Sequence, residues 1–318
     1  MTTRQFGRRF LPFFLCLCLL FCGCSFPGSP AEPPAPSVPD TGSTAAQTKG
    51  SRDNTARVLS PSADGKDIYK CDAATVDASN VSEGYLIVTY KGKSKKKKLQ
   101  ITGPDQVTYT YSLHGDSEVF PLTAGDGTYK TEVFEIISGT KYATILSEKI
   151  PVKLSSQFGP YLYPNQYVNF NENSLAVAEA VRLSEPANSD LDVVSAVYSY
   201  IISNFTYDYD KSASVSTGYL PDVDTVFKEK SGICFDYASV MATMLRSQGI
   251  PTRLEVGYMG EEYHAWLSIH IKDSGWMNGI IEFDGKNWEL LDPTFAATSS
   301  SPKDFIPENS KYITKYVY

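Results

Sequence analysis

From residue 66 to residue 155 the apolar positions recur at every second residue. Tyr85-Leu86-Ile87-Val88-Thr89-Tyr90 is a β-branched and aromatic run, and Gln106-Val107-Thr108-Tyr109-Thr110-Tyr111 alternates. Gly127 to Glu135 alternates again after the turn signal Gly125-Asp126-Gly127, and Tyr142 to Val152 supplies a further run. A period of two buries one face of a strand. Short strands between turn residues predict a β-sandwich over 65–155, in the immunoglobulin-like size range. Residues 156–173, with Pro160 and Pro164 among Asn and Tyr, read as a connector. Beyond them the period becomes 3.6. Ser174 to Leu183 predicts a helix that ends before Pro186, and Ser189 with Asp192 three residues on is the start signal of a second helix. Its apolar face is Leu191, Val194, Val197, Tyr198, Ile201 and Phe205, and it ends near Asn204. Asp224 to Lys230 predicts a shorter helix stopped by Gly232. From Phe235 a further helix carries Ala238, Met241, Ala242 and Leu245 on one side and closes at Gly249 and Pro251. Arg253–Met259, Tyr263–Ile271, Ile280–Phe283 and Trp288–Leu291 then read as strands, the last two as a hairpin around Asp284-Gly285-Lys286. The segment 156–318 is thus expected to be an α+β domain.

The first 23 residues follow a different grammar. Arg4, Arg8 and Arg9 precede an apolar run, Leu11 to Cys22, that is too short to span a bilayer comfortably. This is the pattern of a signal peptide. Phe21-Cys22-Gly23-Cys24 resembles a bacterial lipobox, with Phe21 where Leu is usual. The resemblance implies lipidation at Cys24 and an extracytoplasmic lipoprotein anchored to the cell membrane. Residues 24–64 carry six prolines among Ser, Ala, Gly and Thr between Pro27 and Pro39, and are expected to be a disordered tether. The formal charge of −7 becomes −10 once the three leader arginines are removed, which argues against nucleic acid as a partner. Of six cysteines only Cys71 and Cys234 remain after the leader and Cys24. An exported protein permits a Cys71–Cys234 bridge, which would remove the reactive thiol argued below. Lysines 91, 93 and 95–98 lie between two predicted strands. They read either as a site for anionic wall polymer or lipid headgroups, or as a solvated hairpin edge guarded by charge.

The chemistry gathers after Gly232. Gly232-Ile233-Cys234 opens a turn into the helix, so Cys234 stands at a helix N-terminus, where unpaired N–H groups and the helix dipole favour negative charge. The expectation is a thiol with a lowered pKa and an oxyanion site beside it. A nucleophile needs a base and a group that orients the base. His264 lies early in one strand, and Asp292 follows another at Asp292-Pro293-Thr294, where Pro293 ends pairing. Antiparallel neighbours can bring the two together.

These residues carry a resemblance. Gly232-Ile233-Cys234 with Asp236-Tyr237-Ala238, Leu245 to Arg253, Gly257-Tyr258, His264-Ala265-Trp266, Trp288 and Leu291 to Thr294 resemble the transglutaminase-like superfamily, block by block and in order. Thirty residues separate Cys234 from His264, and 28 separate His264 from Asp292. The resemblance covers about residues 190–296 and implies a papain-like core. It implies a catalytic triad in which Cys234 attacks an acyl carbon, His264 takes and returns the proton, and Asp292 fixes the imidazole. Tyr207 and Tyr209 are alternative candidates for an aromatic that assists the oxyanion. Trp266, Trp276 and Trp288 line a substrate groove or pack in the core.

The expected activity is that of a surface-anchored cysteine peptidase or amidase acting on protein or peptide, including cell-wall peptide. The alternatives are a protein-glutamine acyltransferase and a non-enzymatic binding protein that keeps the fold. No cofactor or metal is called for, and no acidic run has the pattern of a calcium loop.

Overall fold

The computed structural model describes residues 49–259, 261–272, 274–283, 288–290 and 312–318. Eight strands come first: β1 (Ile68–Lys70), β2 (Ala74–Asp77), β3 (Tyr85–Tyr90), β4 (Lys97–Thr102), β5 (Thr108–Ser112), β6 (Ser117–Pro121), β7 (Gly127–Ser138) and β8 (Lys141–Val152). They form two antiparallel four-stranded sheets, ordered β1-β2-β3-β6 and β5-β4-β7-β8. Alternation explains the packing: Tyr129, Thr131 and Val133 of β7 are buried while Thr128 and Lys130 face water. Strands β1, β2, β4 and β6 are absent from the expected set, because each is short or begins in polar residues. Gln106 sits in a left-handed turn (φ 65°), which delays the start of β5 to Thr108.

The second half runs α1 (Leu175–Ser184), α2 (Asp190–Asn204), β9 (Thr206–Tyr207), α3 (Tyr209–Ser214), α4 (Val223–Glu229), β10 (Ser231–Gly232) and α5 (Cys234–Arg246). Strands β11 (Thr252–Met259), β12 (Glu262–Ile271), β13 (Gly275–Phe283), β14 (Trp288–Leu290) and β15 (Tyr312–Val317) complete it. Ser189 caps α2 as expected, accepting from the Asp192 N–H while the Asp192 carboxylate accepts from the Ser189 N–H. Helix α5 departs from the expected one-sided pattern: every residue from Asp236 to Arg246 is buried. It is enclosed by α1, α2 and α4 on one side and by β11 and β12 on the other. The five-stranded sheet has the order β14-β13-β12-β11-β15, so the last strand of the chain inserts beside β11.

Two segments expected to be linkers are structural. The connector 156–173 buries Tyr161, Val168 and Phe170 and ties the halves together: the Gln166 amide donates to the Ser112 carbonyl and to Glu118, each at 2.7 Å. The disordered tether expected over 24–64 does not hold from residue 49 on. From residue 49 the chain lies against the helices, with the Gly50 N–H on the Glu185 carbonyl and the Arg57 N–H on that of Ser247. Arg52 pairs with Asp190 at 2.7 Å and donates to the Gln248 carbonyl at 2.7 Å. These contacts are polar and backbone-mediated, so a hydropathy pattern carries no trace of them.

Candidate active site

Gly232 is where the site begins. A Cβ there would lie 2.6 Å from that of Asp236, so only glycine lets the chain pass this close to the first turn of α5. Ile233 is extended (φ −99°, ψ 175°), and Cys234 is the first helical residue. The half-buried Cys234 and the buried His264 of β12 open on one cavity of about 420 Å³. Tyr167, Phe235, Val256, Tyr263, Ala265 and Tyr318 form one part of its wall, and the chain from Ser212 to Tyr219 forms another. His264 faces Gly257 of β11 across the ladder. Asp292 and the side chain of Trp288 lie outside the described residues.

The thiol differs from the expectation. Burial pushes the Cys234 pKa above its ordinary value of 9.0; the backbone N–H groups of Ala265 and Phe235 oppose this without cancelling it. A helix N-terminus stabilises a thiolate only as far as water or donors solvate it, and here the burial of the sulfur weighs more. The resting Cys234 side chain is therefore the thiol. Cys71 and Cys234 are both free, so the bridge weighed above is not formed.

Of the two tyrosine candidates, Tyr207 reaches the site. Strand β9 pairs in parallel with β10, setting Tyr207 opposite Gly232. Its hydroxyl accepts from the backbone N–H of Cys234, donates to Ser212 at 3.2 Å, and is held protonated first by burial. Tyr209 is exposed and packs edge-on against Tyr207, at 4.9 Å between centroids. Trp266 is core: it is 2% exposed and donates its indole N–H to buried Glu255 at 3.2 Å. Half-buried Trp276 lies 3.7 Å beneath the guanidinium of Arg253, and His270 packs against Phe158 at 4.4 Å.

The clamp behind Cys234 is formed by residues distant in the chain. Asp236, fully buried at the third position of α5, accepts from the Ile233 N–H at 2.9 Å, from Lys211 Nζ at 2.7 Å and from the Tyr219 hydroxyl at 2.5 Å. Lys211 also donates to the Tyr219 hydroxyl at 2.7 Å. One carboxylate thus fixes both ends of the cavity-lining segment 211–219 to the helix that begins at Cys234. An aspartate three residues into a helix is the available signal, but its partners lie 17 and 25 residues away. Asp236→Asn should cost about 2 kcal/mol in chemical denaturation, less than the loss from breaking a fully buried pair because Lys211 is partly solvated. It should also speed alkylation of Cys234 by a bulky maleimide as segment 211–219 loosens.

Residues 177–279 match the model of the transglutaminase-like superfamily, a span that holds both Cys234 and His264. The chain carries a transglutaminase-like domain. The chain spans about a fifth or less of the length of the curated relatives it matches. An uncharacterised Bacillus subtilis protein, YebA, is 27% identical over 154 residues, which are 42% of this chain and 21% of YebA. A Pseudomonas aeruginosa protein-glutamine gamma-glutamyltransferase is 35% identical over 69 residues, 17% of this chain and 10% of that enzyme. Among solved structures, a candidate cysteine protease from Cytophaga hutchinsonii matches at 15% identity with a TM-score of 0.34, over 66% of this chain and 67% of that one. The transglutaminase-like domain has the mixed helix-and-strand architecture expected, with α5 seated on the sheet that bears His264.

Proposed function

We propose that the chain is a surface-anchored cysteine peptidase or amidase that forms a thioester acyl-enzyme at Cys234. The observation that carries this reading is the shared cavity of Cys234 and His264. In the proposed cycle the Cys234 sulfur attacks the acyl carbon while His264 takes the thiol proton. As the C–N bond breaks, His264 returns that proton to the leaving amine. The oxyanion is met by the Cys234 N–H and the Tyr207 hydroxyl, and Asp292 orients His264. Water, deprotonated by His264, then attacks the thioester and releases the acid and the free thiol. The eight strands act as an immunoglobulin-like sandwich that sets the domain off from its anchor, and Cys24 carries the lipid that holds the protein outside the cell membrane.

The likeness to a protein-glutamine gamma-glutamyltransferase favours a second reading, in which an amine takes the acyl group in place of water. Incubation with a glutamine peptide and a labelled amine separates the two. Ammonia release without incorporation supports hydrolysis, and incorporation supports transfer. Equal product from wild type and Cys234→Ala across a panel of peptide amides would reject both.

A further inference from the structure

The lysine run of residues 91–98 serves no edge. Strand β3, which enters it, lies between β2 and β6, and β4, which leaves it, lies between β5 and β7. Both strands are already paired on each side, so the charges guard no open ladder, and the run crosses from one sheet to the other at one end of the strand-rich half. It is held in shape. The Tyr90 hydroxyl donates to Glu135 at 2.6 Å and accepts the Ser94 N–H at 3.0 Å, and the Ser94 hydroxyl donates to the Lys96 carbonyl. Lys97 and Lys98 fold back over Tyr90 and Tyr142 at 4.8 and 4.9 Å. Lys91, Lys93, Lys95 and Lys96 are left exposed.

The β7–β8 turn reaches the same end. The Ile136 N–H donates to the Lys96 carbonyl, and beyond it come Ile137, Ser138, Gly139, Thr140 and exposed Lys141. Ile137 is 70% exposed at this tip. Asp72, Asp116 and Glu135 are the acids nearby, and Glu135 is engaged by Tyr90. A protruding isoleucine ringed by lysines, on a chain of net charge −7, is an amphiphilic tip.

We propose that this tip docks on an anionic lipid bilayer, the lysines meeting headgroup phosphates and Ile137 entering the interface. A soluble polyanion would use the lysines but has no place for the isoleucine, so the bilayer accounts for both. Each lysine near an anionic surface strengthens contact by roughly fivefold, and salt screens it.

The test uses the full chain reconstituted with vesicles of phosphatidylcholine, alone or mixed with phosphatidylglycerol. Limited lysine acetylation is read by mass spectrometry. Lys91, Lys93, Lys95, Lys96 and Lys141 should be acetylated at least about fivefold more slowly on the anionic vesicles. Lys66 and Lys228, exposed elsewhere, should not change. Added salt should erase the difference. Ile137→Ser should weaken the protection, and Lys93→Gln with Lys95→Gln and Lys96→Gln should abolish it at Lys91 and Lys141, both without changing Tm. Equal acetylation on the two vesicle types overturns the proposal. So does protection by soluble polyphosphate that anionic vesicles do not reproduce, or protection that Ile137→Ser leaves intact.

Discussion

Arg246→Leu should lose on the order of 4–6 kcal/mol in urea denaturation, enough to leave much of the chain unfolded at 25 °C given a typical total of about 5–15 kcal/mol. Arg246 is completely buried at the end of α5, and no Asp or Glu is among its hydrogen-bond partners. Its Nε and one terminal nitrogen donate to the Thr252 carbonyl at 3.0 and 2.8 Å. The guanidinium also reaches the carbonyls of Tyr163 at 2.9 Å and Tyr318 at 2.8 Å. One side chain therefore joins the connector, the first residue of β11 and the residue after β15. Burial works against its charge, and what offsets that is the set of charge-assisted hydrogen bonds. Leucine fills the space but takes this donor from the Thr252 and Tyr163 carbonyls in the interior, a cost of about 1–3 kcal/mol each, while the Tyr318 oxygen keeps the Leu254 N–H. Arg246→Lys keeps the charge but cannot span three carbonyls with a single ammonium, and should lose more than half as much. A loss under about 1 kcal/mol for Arg246→Leu would show that these carbonyls have other donors.

Iodoacetamide should label Cys234 slowly at neutral pH, with a rate that climbs into the alkaline range and an apparent midpoint above 9.0, because burial holds the thiol protonated. The sign follows from the raised pKa: thiolate is scarce below it and accumulates as pH rises through it. Peptidase or amidase turnover should not track this alkaline rise, since in the proposed cycle the base acts during attack and not before it. Cys234→Ala should lower turnover by about 10⁴ or more, and His264→Ala by about 10²–10⁴ at pH 7. A labelling rate already at its plateau near pH 7 would show a preformed thiolate and would contradict the assignment of a resting thiol.

The parts of the fold that were legible in the sequence are those written in local chemistry. Tyr85–Tyr90 is strand from end to end, the Ser189–Asp192 pair starts α2 where it should, and Gly232 before Cys234 opens α5. What escaped is long-range. Tyr312–Val317 pairs with β11, more than 50 residues earlier in the chain, a partner that no local pattern names. The clamp of Lys211 and Tyr219 on Asp236 joins residues in different elements, and no periodicity encodes it. The sense of the Cys234 shift was misjudged for the same reason: the dipole is a property of the helix, visible locally, while burial depends on what the sheet and segment 211–219 bring over the sulfur. The cavity wall likewise reaches into the strand-rich half. Of the residues that line it, Tyr167 stacks on Tyr111 of β5 at 5.7 Å and Tyr318 meets Tyr111 edge-on at 6.0 Å.

The strap formed by residues 49–57 gives the molecule a load path. Tension arriving along the chain from residue 48 meets the Gly50–Glu185, Arg52–Ala187 and Arg57–Ser247 backbone bonds and the Arg52–Asp190 ion pair before it reaches β1. These attachments fasten the strap to the loop between α1 and α2 and to the end of α5. Drag or stretching is thus delivered first to the helices that support Cys234, and the strap is the part that would peel away before they shift.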